Sequence, residues 1–172
     1  IPNYLPLISA TFVGLAAGYL GSFMILRKMA LVGDALSHVA LPGVALGILL
    51  GFNPLLGAFA ALFLGIVSIW LIEKKSRLST ESLVGLFFTV SLSIGLLIIP
   101  DEEVIEALFG NIASVTKLDT TLAIVLSLVV VFITSRIAKS LVLTTLSDDL
   151  AKANGVKTEK INFIFLLLVA LI

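Results

Sequence analysis

Long apolar runs without charge follow one another along this chain, separated by short segments that hold nearly all of its ionisable residues. Residues 5–26 (LPLISATFVGLAAGYLGSFMIL) contain no charged side chain, and these 22 residues rise about 33 Å as a helix, enough to cross a hydrocarbon core of roughly 30 Å. From Ala35 to Ile72 the only titratable residue is His38. The turn composition of Gly51-Phe-Asn-Pro54 divides that run into helices at 35–51 and 55–72. A fourth span fits 82–99, closed by Pro100, and a fifth fits 120–135, which is short and leaves room for the helix to extend into its flanks. A sixth begins at Ile161 and stops at Ile172, 12 residues that are too few to cross a bilayer. The pattern predicts an all-α, polytopic transmembrane helix bundle of five full spans plus the start of a sixth, forming a single transmembrane domain over residues 1–172. The first residue is isoleucine rather than methionine, and the last run is short, so both ends read as cut, with further helices and functional residues expected beyond them. A cleaved signal peptide is disfavoured, because no basic residue precedes the first run and further spans follow it.

Charge position then orients the spans. Arg27 and Lys28 follow span one, Lys74, Lys75 and Arg77 follow span three, and Arg136, Lys139, Lys152, Lys157 and Lys160 follow span five. The opposite side receives the neutral turn at 51–54 and the acidic segment from Asp101 to Asp119, whose single base is Lys117. Ten of the eleven basic residues therefore share one side, which the positive-inside rule makes cytoplasmic, with the N-terminus outside. Adding or deleting one helix would scatter these charges over both faces. Composition agrees: the chain is 59% hydrophobic and 13% charged, about half the charged share of a soluble domain. Eleven bases balance eleven acids, so no net field favours nucleic acid. The absence of cysteine excludes disulfides and thiolate chemistry.

Candidate chemistry concentrates between Arg27 and Gly51. Asp34, His38 and Pro42 fall at i, i+4 and i+8, on one helical face. A carboxylate oxygen and an imidazole nitrogen one turn apart can reach the same ion, and they suit zinc, manganese or ferrous iron. Pro42 lacks an N–H, which would leave the His38 carbonyl without its helical partner and kink the helix beside the pair. The alternative is that Asp34 caps span two and His38 hydrogen-bonds within the bundle. With one histidine in the chain, any further ligands must be other acids, backbone, water or residues beyond the chain.

The segment LSDDLAKANGVKTEK, from Leu146 to Lys160, has Ser147 or Asp148 as a helix start and Asn154-Gly155 as a stop. A short capped helix over 146–157, between two spans, is the shape of a docking element, or else a solvated connector. Gly14, Gly18 and Ser22 in span one, and Gly43, Gly47 and Gly51 in span two, form small-residue stripes that predict close helix packing. Ser91 and Ser93 are expected to bond within their own helix or to a neighbour. No phosphate-binding G-x-x-x-x-G-K-[ST] loop is present, so ATP hydrolysis is not expected of this chain, and no H-E-x-x-H or G-x-S-x-G motif points to a hydrolase.

The stretch LRKMALVGDALSHVALPGVALGILLG resembles the second-helix region of the permease subunits of zinc and manganese ABC importers. ESLVGLFFTVSLSIGLL, ALFGNIASVTKLD and SDDLAKANGVK follow in that family's order and spacing, so the resemblance runs from about Gly14 to Lys157. It implies a non-enzymatic permease of a prokaryotic plasma or inner membrane that pairs with a second copy. It also implies a separate cytoplasmic ATPase and an extracellular or periplasmic metal-binding protein as partners. No permanent cofactor is implied; the divalent ion, zinc, manganese or iron, is cargo. The match carries transient metal-ligand roles to Asp34 and His38, and an ATPase-coupling role to Asp149, Leu150, Ala151 and Gly155. Two readings from other classes use the same pair: a proton-coupled carrier with Asp34 and His38 as its relay, and an intramembrane enzyme with them as acid and base.

Overall fold

A computed structural model describes residues 4–76, 78–110 and 115–172. Arg77 of the second basic connection and residues 111–114 of the ALFGNIASVTKLD segment lie outside the described residues. The described chain is helical and contains no strand. Its helices are α1 (Leu5–Leu26), α2 (Val32–Val39), α3 (Leu41–Leu50), α4 (Pro54–Lys75), α5 (Thr80–Ile98), a 3-10 turn (Asp101–Glu103), α6 (Val104–Phe109), α7 (Lys117–Leu146), α8 (Asp148–Ala153) and α9 (Thr158–Leu171). Among the described residues five segments are long and apolar enough to cross a membrane, counting Val32–Leu50 as one.

Helix ends differ from the sequence expectations in ways that local chemistry explains. Pro54 opens α4 rather than closing a turn, because proline is tolerated where the N–H has no helical partner, and Asn53 Oδ1 accepts from the Leu55 N–H at 2.9 Å. The fifth span extends into both flanks of 120–135 as a helix of 30 residues. A reciprocal capping box starts it: Asp119 N–H donates to Thr116 Oγ1 at 3.2 Å and Thr116 N–H to Asp119 Oδ2 at 2.9 Å. It then continues through Arg136 and Lys139, which were expected to lie in a loop. Arg136 holds its guanidinium over the Phe132 ring one turn back, 4.7 Å from the centroid, and the helix runs on past it.

The described residues fall into two compact units, Ile1–Ala30 with Asn111–Ile172, and Leu31–Gly110. In the first, α1 lies along α7. Ser9 Oγ donates to Thr120 Oγ1 at 3.1 Å, and Ser135 Oγ to the Tyr19 hydroxyl at 3.3 Å, so the two helices run in the same direction, as spans one and five of the sequence topology must. Arg27 ties the end of α1 to α9, donating to Asn162 Oδ1 with its guanidinium 4.9 Å from the centre of the Phe165 ring.

α1 ends in a Schellman motif, with Met29 N–H bonded to the Met24 carbonyl at 2.8 Å and Lys28 N–H to that of Ile25 at 3.0 Å. The left-handed position is held by Lys28, at φ 59°. A side chain there raises the energy by about 1–2 kcal/mol, part of which glycine would return as chain entropy. Lys28→Gly is therefore expected to stabilise the protein by about 0.5–1 kcal/mol, read from thermal unfolding in detergent; a lowered midpoint would show that the lysine side chain does more than occupy a cap.

The second unit is built around α2 and α3. Of the Val32–Leu50 window 44% is buried, against 22% for both α4 and α5, which flank it. The two glycines Gly43 and Gly57 allow α3 and α4 to touch: a Cβ on Gly43 would stand 2.0 Å from the Gly57 carbonyl oxygen. The small-residue stripe of span two thus packs as expected at Gly43 and Gly47, though not at Gly51. That of span one does not among the described residues, since a Cβ on Gly14 or Gly18 would meet nothing within 4 Å. Leu41, Ala45 and Ile99 form the buried centre of the α3, α5 and α6 contacts. Ser93 Oγ bonds to the Thr89 carbonyl of its own helix at 2.8 Å. The many outward leucines, isoleucines and phenylalanines of both units, such as Leu64, Leu97 and Phe132, are the expected surface of a protein whose solvent is lipid.

Candidate functional site

Asp34 and His38 sit on α2, an eight-residue helix that starts at Val32 and breaks at Ala40, just before Pro42. Pro42 occupies the first turn of α3, where its missing N–H leaves no gap. The His38 carbonyl is not left empty by Pro42, as the sequence suggested; it accepts from the Ala40 N–H at the break. The N-cap of α2 falls on Leu31 and makes no side-chain bond, which places Asp34 inside the first turn rather than at the cap. Its carbonyl accepts from Ser37 Oγ at 2.6 Å, while its carboxylate has neither a hydrogen bond nor an ion pair among the described residues.

His38 is half-buried, and its imidazole meets the ring of Phe88 on α5 edge-on, with centroids 5.4 Å apart and planes at 64°. It makes no hydrogen bond among the described residues, so the bundle does not use its nitrogens. Next to α2 lies a cavity of about 240 Å³ lined by Asp34 and Glu81 among apolar groups that include Val32, Val84 and Phe88. Chemically, the pair on α2 offers one hard oxygen and one borderline nitrogen donor, both unengaged, beside a mostly apolar cavity. Among the described residues no three histidine, aspartate or glutamate side chains gather as a metal cluster, so a bound ion would also need water or backbone oxygens.

Glu81 and Phe88 carry no sequence signal of their own: they stand within an ordinary span, ESLVGLFF, and acquire a setting only because α5 packs on α2.

The other candidate segment lies in the first unit. α8 starts at Ser147, whose Oγ accepts from the Leu150 N–H at 3.3 Å, and Asp148 and Asp149 occupy its first turn, where they complement the helix dipole. It ends in a Schellman motif, with Val156 N–H bonded to the Ala151 carbonyl at 3.0 Å and Gly155 in the left-handed region at φ 77°. Ala151 is fully buried, whereas Asp149, Leu150 and Gly155 are exposed. The result is a short helix capped at both ends, anchored by one alanine, with a leucine and two carboxylates facing outward.

Comparison with known proteins supplies the lineage. The ABC 3 transport family model matches residues 5–172. The manganese import system permease protein ScaB of Streptococcus gordonii is 35% identical over 170 residues, which cover 96% of this chain and 61% of that protein. The high-affinity zinc uptake system membrane protein ZnuB of Haemophilus influenzae is 34% identical over 176 residues, covering 96% and 65%. Among solved structures, PsaBC from Streptococcus pneumoniae in complex with Fab superposes with a TM-score of 0.76 at 32% identity, over 96% of this chain and 61% of that one. The chain thus spans about three fifths of the length of the manganese relative and of the solved structure. Five membrane-length helices, the Asp34–His38 pair beside its cavity and a family match from residue 5 to residue 172 lead to one conclusion: the chain belongs to the ABC 3 transport family.

Proposed function

We propose that this chain forms the membrane-spanning path of an ATP-driven importer of divalent transition-metal ions, with Asp34 and His38 as transient ligands of the passing ion. The observation that carries this reading is the unengaged carboxylate and imidazole one turn apart on α2, beside a cavity that Asp34 and Glu81 line among apolar groups. Charged and polar groups are expensive at membrane depth unless they serve an ion or a partner. Two protein donors hold an ion weakly enough to release it, which transport demands. The names of the relatives favour manganese or zinc, with iron compatible with the same donors. The chain performs no bond chemistry; a cytoplasmic ATPase hydrolyses the nucleotide, a metal-binding protein delivers the ion from outside, and two permease copies pair in a prokaryotic plasma or inner membrane with the basic connections inside.

The deciding experiment measures Mn²⁺ uptake by proteoliposomes holding the full-length permease and its ATPase, comparing wild type with Asp34→Ala and His38→Ala at matched assembly. Loss of uptake in both variants with the ATPase still bound is expected. Wild-type uptake in both would remove the pair from the ion path, and uptake without ATP would favour a carrier.

Coupling is assigned to α8. Its exposed Leu150 and Asp149 suit a groove on the ATPase, and α8 joins α7 to α9, so a push on it tilts both. Gly155→Ala meets no steric neighbour, because a Cβ there has nothing within 4 Å, and acts only through its φ of 77°. It is expected to distort the end of α8 at about 1–2 kcal/mol and to lower uptake per ATP hydrolysed, with Gly155→Asn milder because asparagine tolerates this region. An unchanged ratio of ions moved to ATP consumed would count against the coupling role.

A further inference from the structure

A basic residue at the end of a span needs only to reach headgroups or water to orient the chain. Arg27 turns instead into its own unit, where it donates to Asn162 Oδ1 and its guanidinium stands 4.9 Å from the centre of the Phe165 ring. Asn162 and Phe165 are three positions apart on one face of α9, and Phe165 is completely buried. A planar cation held by an amide oxygen and by an aromatic ring has its orientation fixed twice. Lys28, the next residue, is exposed, so the connection already has an outward charge to set topology.

Both sides of this contact lead to places that the transport reading uses. α9 follows α8 closely: Gly155 and Val156 close α8, and α9 begins at Thr158, four positions before Asn162. α9 packs on α7 and α8, and Arg27 adds a tie from it to α1. On the other side Arg27 is the C-cap of α1, and Asp34 follows it by seven positions. The connection between them is bonded at both ends. Met29 N–H returns to the Met24 carbonyl at 2.8 Å, the Met29 side chain is buried, and the Leu31 carbonyl accepts from the Ala35 N–H at 3.0 Å to open α2. Residues 28–31 alone therefore separate a side chain gripped by α9 from the helix that carries Asp34 and His38.

We propose that Arg27 is a positioning residue of the transport cycle: it makes the end of α1 follow α9 when α8 is pushed, and so carries that movement to the Asp34–His38 pair. The inference rests on the ligand role of the pair and the coupling role of α8 proposed above. Arg27 touches no ion. Its planar fork gives the tie a direction as well as strength, which a lysine would not supply.

The test measures Mn²⁺ moved per ATP hydrolysed by the full-length permease with its ATPase in proteoliposomes. Arg27→Lys keeps the charge, and with it the topology, but loses the fork. It is expected to lower the ratio by roughly 3-fold or more while the amount of assembled complex holds, since single residues in a coupling network shift coupling by about 2- to 30-fold. Asn162→Ala should act in the same direction. Lys28→Gln, which removes a charge from the same connection, should leave the ratio as in wild type. A topological or packing role would change the amount of assembled complex and not the ratio. If Gly155→Ala lowers the ratio and Arg27→Lys does not, this inference is overturned and the coupling reading stands; if neither lowers it, both fall.

Arg27→Cys combined with Asn162→Cys, in a permease otherwise free of cysteine, covers the case in which lysine at 27 alters assembly. Unlinked, the pair is expected to show the lowered ratio. Joined by a short bifunctional thiol reagent, it should regain most of the wild-type ratio, because α1 and α9 again move together. A wild-type ratio before linking, or no recovery after it, overturns the proposal.

Discussion

On the ligand role proposed for it, His38→Ala will lower Mn²⁺ uptake at limiting ion by about 100-fold or more, because partners one shell removed from a metal already carry 10–100-fold and a direct donor should exceed them. The imidazole is the only nitrogen donor of its kind in the chain. Its removal leaves oxygen donors alone, which suit magnesium and calcium as well as manganese. Residual uptake in the variant should therefore be more sensitive to Mg²⁺ competition, and Zn²⁺ uptake should fall further than Mn²⁺ uptake. Loss of packing is the competing explanation, since His38 touches Phe88. Phe88→Leu separates the two: it removes the ring contact and keeps the imidazole, so uptake should survive. Equal loss in Phe88→Leu would assign the effect to the α2–α5 contact and not to ligation.

Gly43→Ala will destabilise the second unit by about 3 kcal/mol, at the upper end of overpacking effects. The added methyl would stand 2.0 Å from the Gly57 carbonyl oxygen, 2.5 Å from its carbon and 2.8 Å from Ala61 Cβ. Two of those atoms are backbone, so no side-chain rotation relieves the clash, and α3 and α4 must part. In lipid no hydrophobic force pulls them back, since the tails are as apolar as the helices, and the contact depends on close fit. Thermal unfolding and the monodisperse fraction in detergent read the outcome. Gly14→Ala on α1 is the control: nothing lies within 4 Å of the new methyl, so the variant should be neutral or slightly more stable through helix propensity. Similar losses at both positions would show that helix contact does not govern the effect.

Much of this fold was legible as pattern. Long uncharged runs must be helices in a bilayer, since lipid offers backbone groups no partner, and so the number of spans and the absence of strands follow from composition and length. Basic residues alternate between connections, and the common direction of α1 and α7 agrees with that alternation. The start and stop of α8 were also readable, because Ser147 and Gly155 act through their own backbone neighbours. Where a helix continues is harder to read: Arg136 and Lys139 look like a loop until the guanidinium of Arg136 is seen over the Phe132 ring within α7.

The candidate site divides along the same line. The sequence by itself determined that Asp34 and His38 share a helical face, because residues at i and i+4 must, and that a proline breaks the helix nearby. Only the tertiary structure decided which of two similar small-residue stripes is used, since Gly43 finds a facing glycine on α4 and Gly14 finds nothing within reach. It also brought Glu81 and Phe88 to the cavity of Asp34, across 47 positions of chain between Asp34 and Glu81 that no spacing rule connects. Helical periodicity is a property of one element and is written locally. Which elements face each other depends on how whole surfaces fit, and single residues such as Glu81 acquire a setting only when that fit is made.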